Sequence, residues 1–341
     1  MDWLRRAVES NASDLHLASS KAPRIRKHGE IQDLYPIPSG PFNIDELILE
    51  IMSESKKAEF LRCGEVDFSF TNSSIGRFRV NVFRQLNGIS AVFRVIPVSV
   101  PTLEEISAPN VFSRFCEMRD GLVLISGPTG CGKSTTMAAM VDSIIRDRKV
   151  HVLTIEDPIE FIYQSQQGII SQRQLHDHTH SFEGGLKAAL REDPDVILVG
   201  EMRDLATIRL AITAAETGHL VLSTLHTLSA AQSINRIIDT FPVGEQSIIR
   251  SMLSGALKGV VSQMLVPKTE EGRIAAWEIM MVTPAIRHLI RENKMAQMHS
   301  VIETGAKMGM QTMNQCLRNL HAQGCISRDV LSEYTLGVAL C

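Results

Sequence analysis

The sequence predicts an α/β protein in which a smaller α+β domain precedes a P-loop domain. Three observations carry that reading. The apolar run Leu122-Val123-Leu124-Ile125 leads into Gly127-Pro128-Thr129-Gly130-Cys131-Gly132-Lys133-Ser134, and a helical stretch opens at Thr135. This is the strand–loop–helix setting that the pattern G-x-x-x-x-G-K-[ST] requires. Beyond residue 97, strand-like runs at 121–126, 151–155, 196–199 and 220–224 alternate with helical stretches in the α/β manner. Before residue 97, several segments alternate polar and apolar residues with period two, as half-buried antiparallel strands do.

Taken in order, Trp3, Leu4, Ala7 and Val8 mark a short amphipathic helix, and Ala12-Ser13-Asp14-Leu15-His16-Leu17 reads as a strand. Leu47, Ile48, Ile51 and Met52 lie at helical spacing within 44–60. Strands come next at 66–70, 77–83 and 89–95, joined through turns at Asn72-Ser73-Ser74 and Asn87-Gly88. Pro97-Val98-Ser99-Val100-Pro101 reads as a hinge, because two prolines oppose both helix and sheet. The expected organisation is an N-terminal domain over 1–97, a linker over 98–108 and the P-loop domain over 109–341, mostly helical from Pro284 onward.

With 341 residues, 44% of them apolar, the chain is long enough for two cores. Its net charge is −3, and Lys plus Arg roughly balance Asp plus Glu on both sides of Pro97. That balance leaves no basic footprint and speaks against a nucleic-acid motor. Six scattered cysteines form no C-x-x-C pair, which disfavours a zinc ribbon or a disulfide framework and fits a reducing compartment. The first residues lack a secretory apolar core, and no apolar run approaches the roughly 20 residues that span a bilayer. A membrane role is expected only through a partner.

The P-loop implies a bound nucleoside triphosphate. Glycines let the backbone wrap an anion, Lys133 supplies positive charge, and Ser134 offers a hydroxyl to Mg²⁺. Three further segments end predicted strands, where α/β sheets assemble ligand sites. Glu156-Asp157-Pro158-Ile159-Glu160 places three carboxylates in five residues, suited to positioning water near a γ-phosphate. Asp193-Pro194-Asp195-Val196-Ile197-Leu198-Val199-Gly200-Glu201 has the form of a Walker B strand with Glu201 at its end. Arg203 and Asp204 come directly after it, able to pair with each other or with nucleotide-site groups. His219 and His226 bracket the apolar run 220–225, and a histidine at a strand end can hydrogen-bond a phosphate.

In order and spacing, these segments resemble the P-loop, aspartate box, Walker B and histidine box of the type II and type IV pilus secretion ATPases. The resemblance is closest to the PilT-type pilus retraction ATPases, and it runs nearly end to end. Ala12-Ser13-Asp14-Leu15-His16 is similar to the family's N-terminal signature. Gly309-Met310-Gln311-Thr312-Met313 and the segment around Ile326-Ser327-Arg328 are similar to its C-terminal region. Ala285-Ile286-Arg287-His288-Leu289-Ile290-Arg291-Glu292 resembles the retraction signature, with His288 in place of Asn. The four-cysteine zinc insert common in pilus-assembly and type II secretion ATPases is absent.

The resemblance implies a RecA-like ATPase core, a PAS-like N-terminal domain and assembly as a homo-hexamer. It implies ATP and Mg²⁺ at Gly127, Pro128, Thr129, Gly130, Cys131, Gly132, Lys133, Ser134 and Thr135, with Ser134 and Glu201 toward the metal. Glu160 would be the catalytic glutamate, Glu201 the Walker B acid, and His219 and His226 the histidine-box pair. Arg79 and Arg94 would be supplied by the N-terminal domain across a subunit boundary, where a guanidinium offsets phosphoryl charge. The implied function is retraction of a type IV pilus through an inner-membrane platform protein, by a cytoplasmic ring without a nucleic-acid partner. A type IV secretion ATPase and a non-hydrolysing regulatory subunit stand as alternatives. His176, His178 and His180 read as part of an exposed polar loop, and no metal other than Mg²⁺ is expected.

Overall fold

Continuous apolar runs such as 122–125 and 196–199 have no polar face, so they can only be strands covered on both sides. In the computed structural model, which describes residues 2–19, 21–27, 29–34, 44–96 and 99–339, they form the middle of one sheet. The chain divides into two compact units, Met1–Ser99 and Val100–Cys341. Of the expected hinge, Pro97 and Val98 lie outside the described residues.

The N-terminal unit is an antiparallel sheet with helices on one face. Its strands are β1 (Asp14–Ala18), β2 (Arg24–Lys27), β3 (Glu30–Asp33), β4 (Glu65–Asn72), β5 (Gly76–Gln85) and β6 (Gly88–Ile96), in the spatial order β3-β2-β1-β6-β5-β4. Helices α1 (Asp2–Glu9), α2 (Ile44–Glu50) and α3 (Glu54–Cys63) accompany them. Alternation fixes the faces: Leu15, Leu17, Phe78, Val80, Val82 and Phe93 enter the core. The single helix expected over 44–60 is two, because Ser53 caps a new helix by accepting the N–H of Lys56.

The second unit contains a seven-stranded sheet. Its strands are β7 (Gly121–Ser126), β8 (His151–Glu156), β9 (Ile169–Gln174), β10 (Val196–Val199), β11 (Leu220–Leu225), β12 (Leu257–Pro267) and β13 (Arg273–Met281). They lie in the order β13-β12-β7-β11-β10-β8-β9, parallel throughout except for the β12–β13 pair. The helices are α4 (Val111–Glu117), α5 (Lys133–Asp147), α6 (Phe182–Ala189), α7 (Leu205–Glu216), α8 (Ala230–Asp239) and α9 (Gln246–Ala256). The chain then runs through α10 (Pro284–Arg291), α11 (Met298–Thr304), α12 (Met313–Ala322) and α13 (Arg328–Ala339). The helical character expected from Pro284 onward is present. Strands β9, β12 and β13 are not predicted by the alternation, and two of them turn out to support the site.

Candidate functional site

Register decides which residues meet. Strands β7, β11, β10 and β8 run parallel, with Ser126 opposite Leu225, Val199 opposite Ser223, and Val199 opposite Ile155. Their C-terminal ends therefore open on one edge of the sheet, where α/β ligand sites form. That edge carries the P-loop after β7, His226 after β11, Glu201 after β10 and the 157–160 loop after β8.

The P-loop backbone is set by glycine. Gly127 has φ +146°, and a Cβ there would run into the backbone carbonyl of Gln263 and approach Cys131 Sγ at 2.7 Å. Gly132, at φ +88°, opens α5 with no side-chain cap, whereas α6, α7, α8, α10 and α12 are capped by Ser181, Asp204, Ser229, Thr283 and Thr312. The first N–H groups of α5 are thus left to a ligand, and the dipole favours an anion. Lys133 is buried and donates to the carbonyls of Gly127 at 2.7 Å and Pro128 at 3.0 Å. Burial pulls its ammonium below the ordinary lysine range, and Cys131, Glu201 and Glu160 act in the opposite direction. Pro128, Thr129, Gly130 and Ser134 are exposed, Thr135 is half-buried, and Cys131 is buried.

Strand β12 braces this loop. Gln263 donates through Nε2 to the Cys131 carbonyl at 2.6 Å and accepts from Thr136 Oγ1 at 2.8 Å. The hydroxyls of Ser126 and Ser262 meet at 2.8 Å. Neither Ser262 nor Gln263 is singled out by sequence, because their strand is not predicted. The signal present is a Ser-Gln pair inside an otherwise apolar run.

Glu201 stands between two partners. Arg203 donates to its Oε2 at 2.7 Å, and His226 Nε2 lies 3.2 Å from Oε1. Burial would raise this carboxyl, but Arg203 and His226 together hold it below the ordinary carboxylate range. Of the two pairings open to Arg203, the one with Glu201 is formed. Asp204 instead caps α7, accepting from Thr207 N and Oγ1 at 2.8 Å each.

The structure brings His226, and not His219, to this edge. His219 precedes β11, whose first residue Leu220 pairs with Gly121 at the start of β7. It therefore sits at the opposite end of the strand, roughly 20 Å away at about 3.3 Å per residue. There its Nδ1 lies 3.0 Å from the carbonyl of Ala214. The two histidines bracket a strand, and a strand's two ends face opposite edges, so within this chain His219 is a local contact of α7.

The 157–160 loop is held from β8 and β9. Glu160 is exposed, while Glu156 is pushed up to about 7 by burial, against hydrogen bonds from Thr154 and Gln172. In the N-terminal unit, Arg79 and Arg94 are direct cross-strand partners on β5 and β6. Arg94 Nε donates to Asp14 Oδ1 at 2.9 Å, with the arginine side chain 66% exposed and the aspartate 7%. Arg79 lies 3.8 Å from Asp67. Two like charges side by side are unfavourable alone and favour an anionic partner. His178 in the histidine-rich segment accepts through Nδ1 from Gln174 N at 2.9 Å, a turn contact.

Comparison with known proteins places the chain. The model of the family described as "Type II/IV secretion system protein" matches residues 1–332. The chain is 51% identical to the type IV pilus retractation ATPase PilT of Pseudomonas aeruginosa, over 96% of this chain and 95% of that one. It is 50% identical to a twitching motility protein of Neisseria gonorrhoeae, over 94% and 86% of the two chains. The crystal structure of the pilus retraction motor PilT with bound ADP superposes with a TM-score of 0.91 at 43% identity, covering 97% of this chain and 95% of that one. The fold is thus a RecA-like ATPase core with a smaller N-terminal α+β unit and a helical C-terminal region. The chain belongs to the type II/IV secretion system protein family.

Proposed function

We propose that this chain is an ATP-hydrolysing motor that powers retraction of type IV pili. The observation that carries the reading is the placement of Lys133, Glu201 and Glu160 after the parallel strands β7, β10 and β8 on one sheet edge, in a chain 51% identical to a retraction ATPase. The retraction-like segment adds support. It forms α10, with Ile286, Leu289 and Ile290 buried and His288 exposed, so one face can take up motion while the other stays free for a partner.

In this reading the N–H groups opening α5 and the Lys133 ammonium hold the triphosphate. Glu160 orients the attacking water and takes its proton. Ser134 and Glu201 offer hard oxygen donors suited to Mg²⁺. No cluster of three His, Cys, Asp or Glu occurs among the described residues, which fits an ion held largely by phosphate and water. When bound, that ion offsets phosphate charge. His226 and Arg203 fix the Glu201 carboxylate. Arg79 and Arg94 supply positive charge once subunits assemble as a homo-hexamer. The ring would act on an inner-membrane platform protein from the cytoplasmic side and reach the membrane only through it. Among the described residues no helix is long and apolar enough to cross a membrane.

The test is ATP turnover by the purified chain with Mg²⁺, compared with Glu160→Gln. The reading predicts turnover that falls by roughly two orders of magnitude in the variant, with ADP affinity retained. Absence of turnover in the wild type would overturn it.

A further inference from the structure

A half-buried carboxyl outside the triphosphate cradle lies at the root of the loop that carries Glu160. Glu156 closes β8, and its charged form is served by two side chains. Thr154 Oγ1 donates to Oε1 at 2.6 Å, and Gln172 Nε2 donates to the same oxygen at 3.3 Å. The neighbouring strand completes the clamp. Gln172 also donates to the Phe161 carbonyl at 2.8 Å and accepts from Tyr163 N at 3.1 Å, and Gln174 accepts from Ile159 N at 3.2 Å. The main chain is therefore pinned at 159, 161 and 163, on both sides of Glu160. Its carboxylate stays exposed.

We propose that Glu156 is a positioning residue for Glu160: its carboxylate holds the Gln172 amide, which in turn fixes the main chain at Phe161 and Tyr163 beside Glu160. The inference rests on the reading of Glu160 as the group that takes the water's proton. A hydrogen bond to an ionised acceptor is stronger than one to a neutral carboxyl. That gain is lost when Glu156 is protonated. The groups facing it are Glu160 on the same loop and the Tyr163 phenol, itself faced by Asp142 of α5. Strands β8 and β9 present the neutral Thr154 and Gln172.

The test is kcat, KM and ADP affinity against pH for the wild type, Glu156→Gln, Thr154→Val and Glu160→Gln. Wild-type kcat should rise with pH around a midpoint near 7, where Glu156 ionises. Glu156→Gln keeps the shape but is permanently neutral. Its kcat at pH 8 should be about tenfold lower and lack that rise, with ADP affinity unchanged. Thr154→Val removes one donor to the carboxylate and should move the midpoint to higher pH, which supplies a readout if the first variant does not fold. A Glu156→Gln enzyme with the wild-type rate and pH profile, or an unmoved midpoint in Thr154→Val, overturns the proposal. If Glu160→Gln is inactive while Glu156→Gln behaves as wild type, only this inference fails. If Glu160→Gln retains full turnover, the reading of Glu160 fails and takes this inference with it.

Discussion

His226 and Glu201 face each other across the ends of β11 and β10, with His226 Nε2 3.2 Å from Glu201 Oε1. Two adjacent parallel strands bring them together, and each strand also feeds a helix, α8 and α7. A hydrogen bond to a charged group contributes about 1.5–3 kcal/mol. His226→Ala should therefore lower kcat by roughly tenfold or more while ADP affinity stays near the wild-type value, checked by steady-state turnover and calorimetric titration. The matching substitution His219→Ala, at the far end of β11, should leave turnover by the isolated chain within about twofold.

Gln263 ties β12 to the P-loop from within the core. Gln263→Leu would leave the Thr136 hydroxyl and the Cys131 carbonyl without their partner. Each buried orphan costs about 1–3 kcal/mol, so the variant should lose about 2–6 kcal/mol of stability in denaturant unfolding. Because the Cys131 carbonyl belongs to the loop itself, ADP affinity should weaken as well.

The loop glycines are not equivalent. At Gly127 a Cβ would collide with the Gln263 carbonyl, so Gly127→Ala should abolish nucleotide binding by forcing the loop away from β12. At Gly130 nothing lies within 4 Å and only the φ of +76° opposes a side chain. Gly130→Ala should cost about 1–2 kcal/mol of stability and spare most of the affinity. Parallel unfolding and ADP titration of the two variants separate collision from strain.

Glu156 has a consequence for stability that is independent of catalysis. Its carboxyl is raised from about 4.5 to about 7 in the folded chain, chiefly by burial. Between those values the native state keeps a proton that the unfolded chain has released. Its favourable contribution is therefore present at acid pH and lost as pH rises through about 7. Wild-type stability should fall relative to Glu156→Gln between pH 5 and pH 8, by at most ~3 kcal/mol. Denaturant midpoints at the two pH values check this.

Much of this architecture is legible in the sequence because buried parallel strands are largely apolar. The runs at 121–126 and 196–199 could be little else, and the P-loop dictates a helix immediately after the first of them. The edge strand β9, Ile-Ile-Ser-Gln-Arg-Gln, is mostly polar and resembles a loop until its pairing with β8 is known. The glutamines that clamp the Glu160 loop are hidden for that reason. Gln263 escapes because its partner at residue 131 is distant in the chain. Strands β2 and β3 are short and charged, and they owe their place to pairing with β1 more than to propensity. The two histidines illustrate another limit: a spacing that fits one strand does not say which edge each end faces.

The central claim is that ATP hydrolysis at this site withdraws a pilus. Its most direct test replaces Glu201 by Ala in the organism that carries this chain and counts surface pili while tracking their shortening by microscopy. The motor reading predicts abundant pili that no longer retract. Loss of pili, or pili that retract as in the wild type, would contradict it.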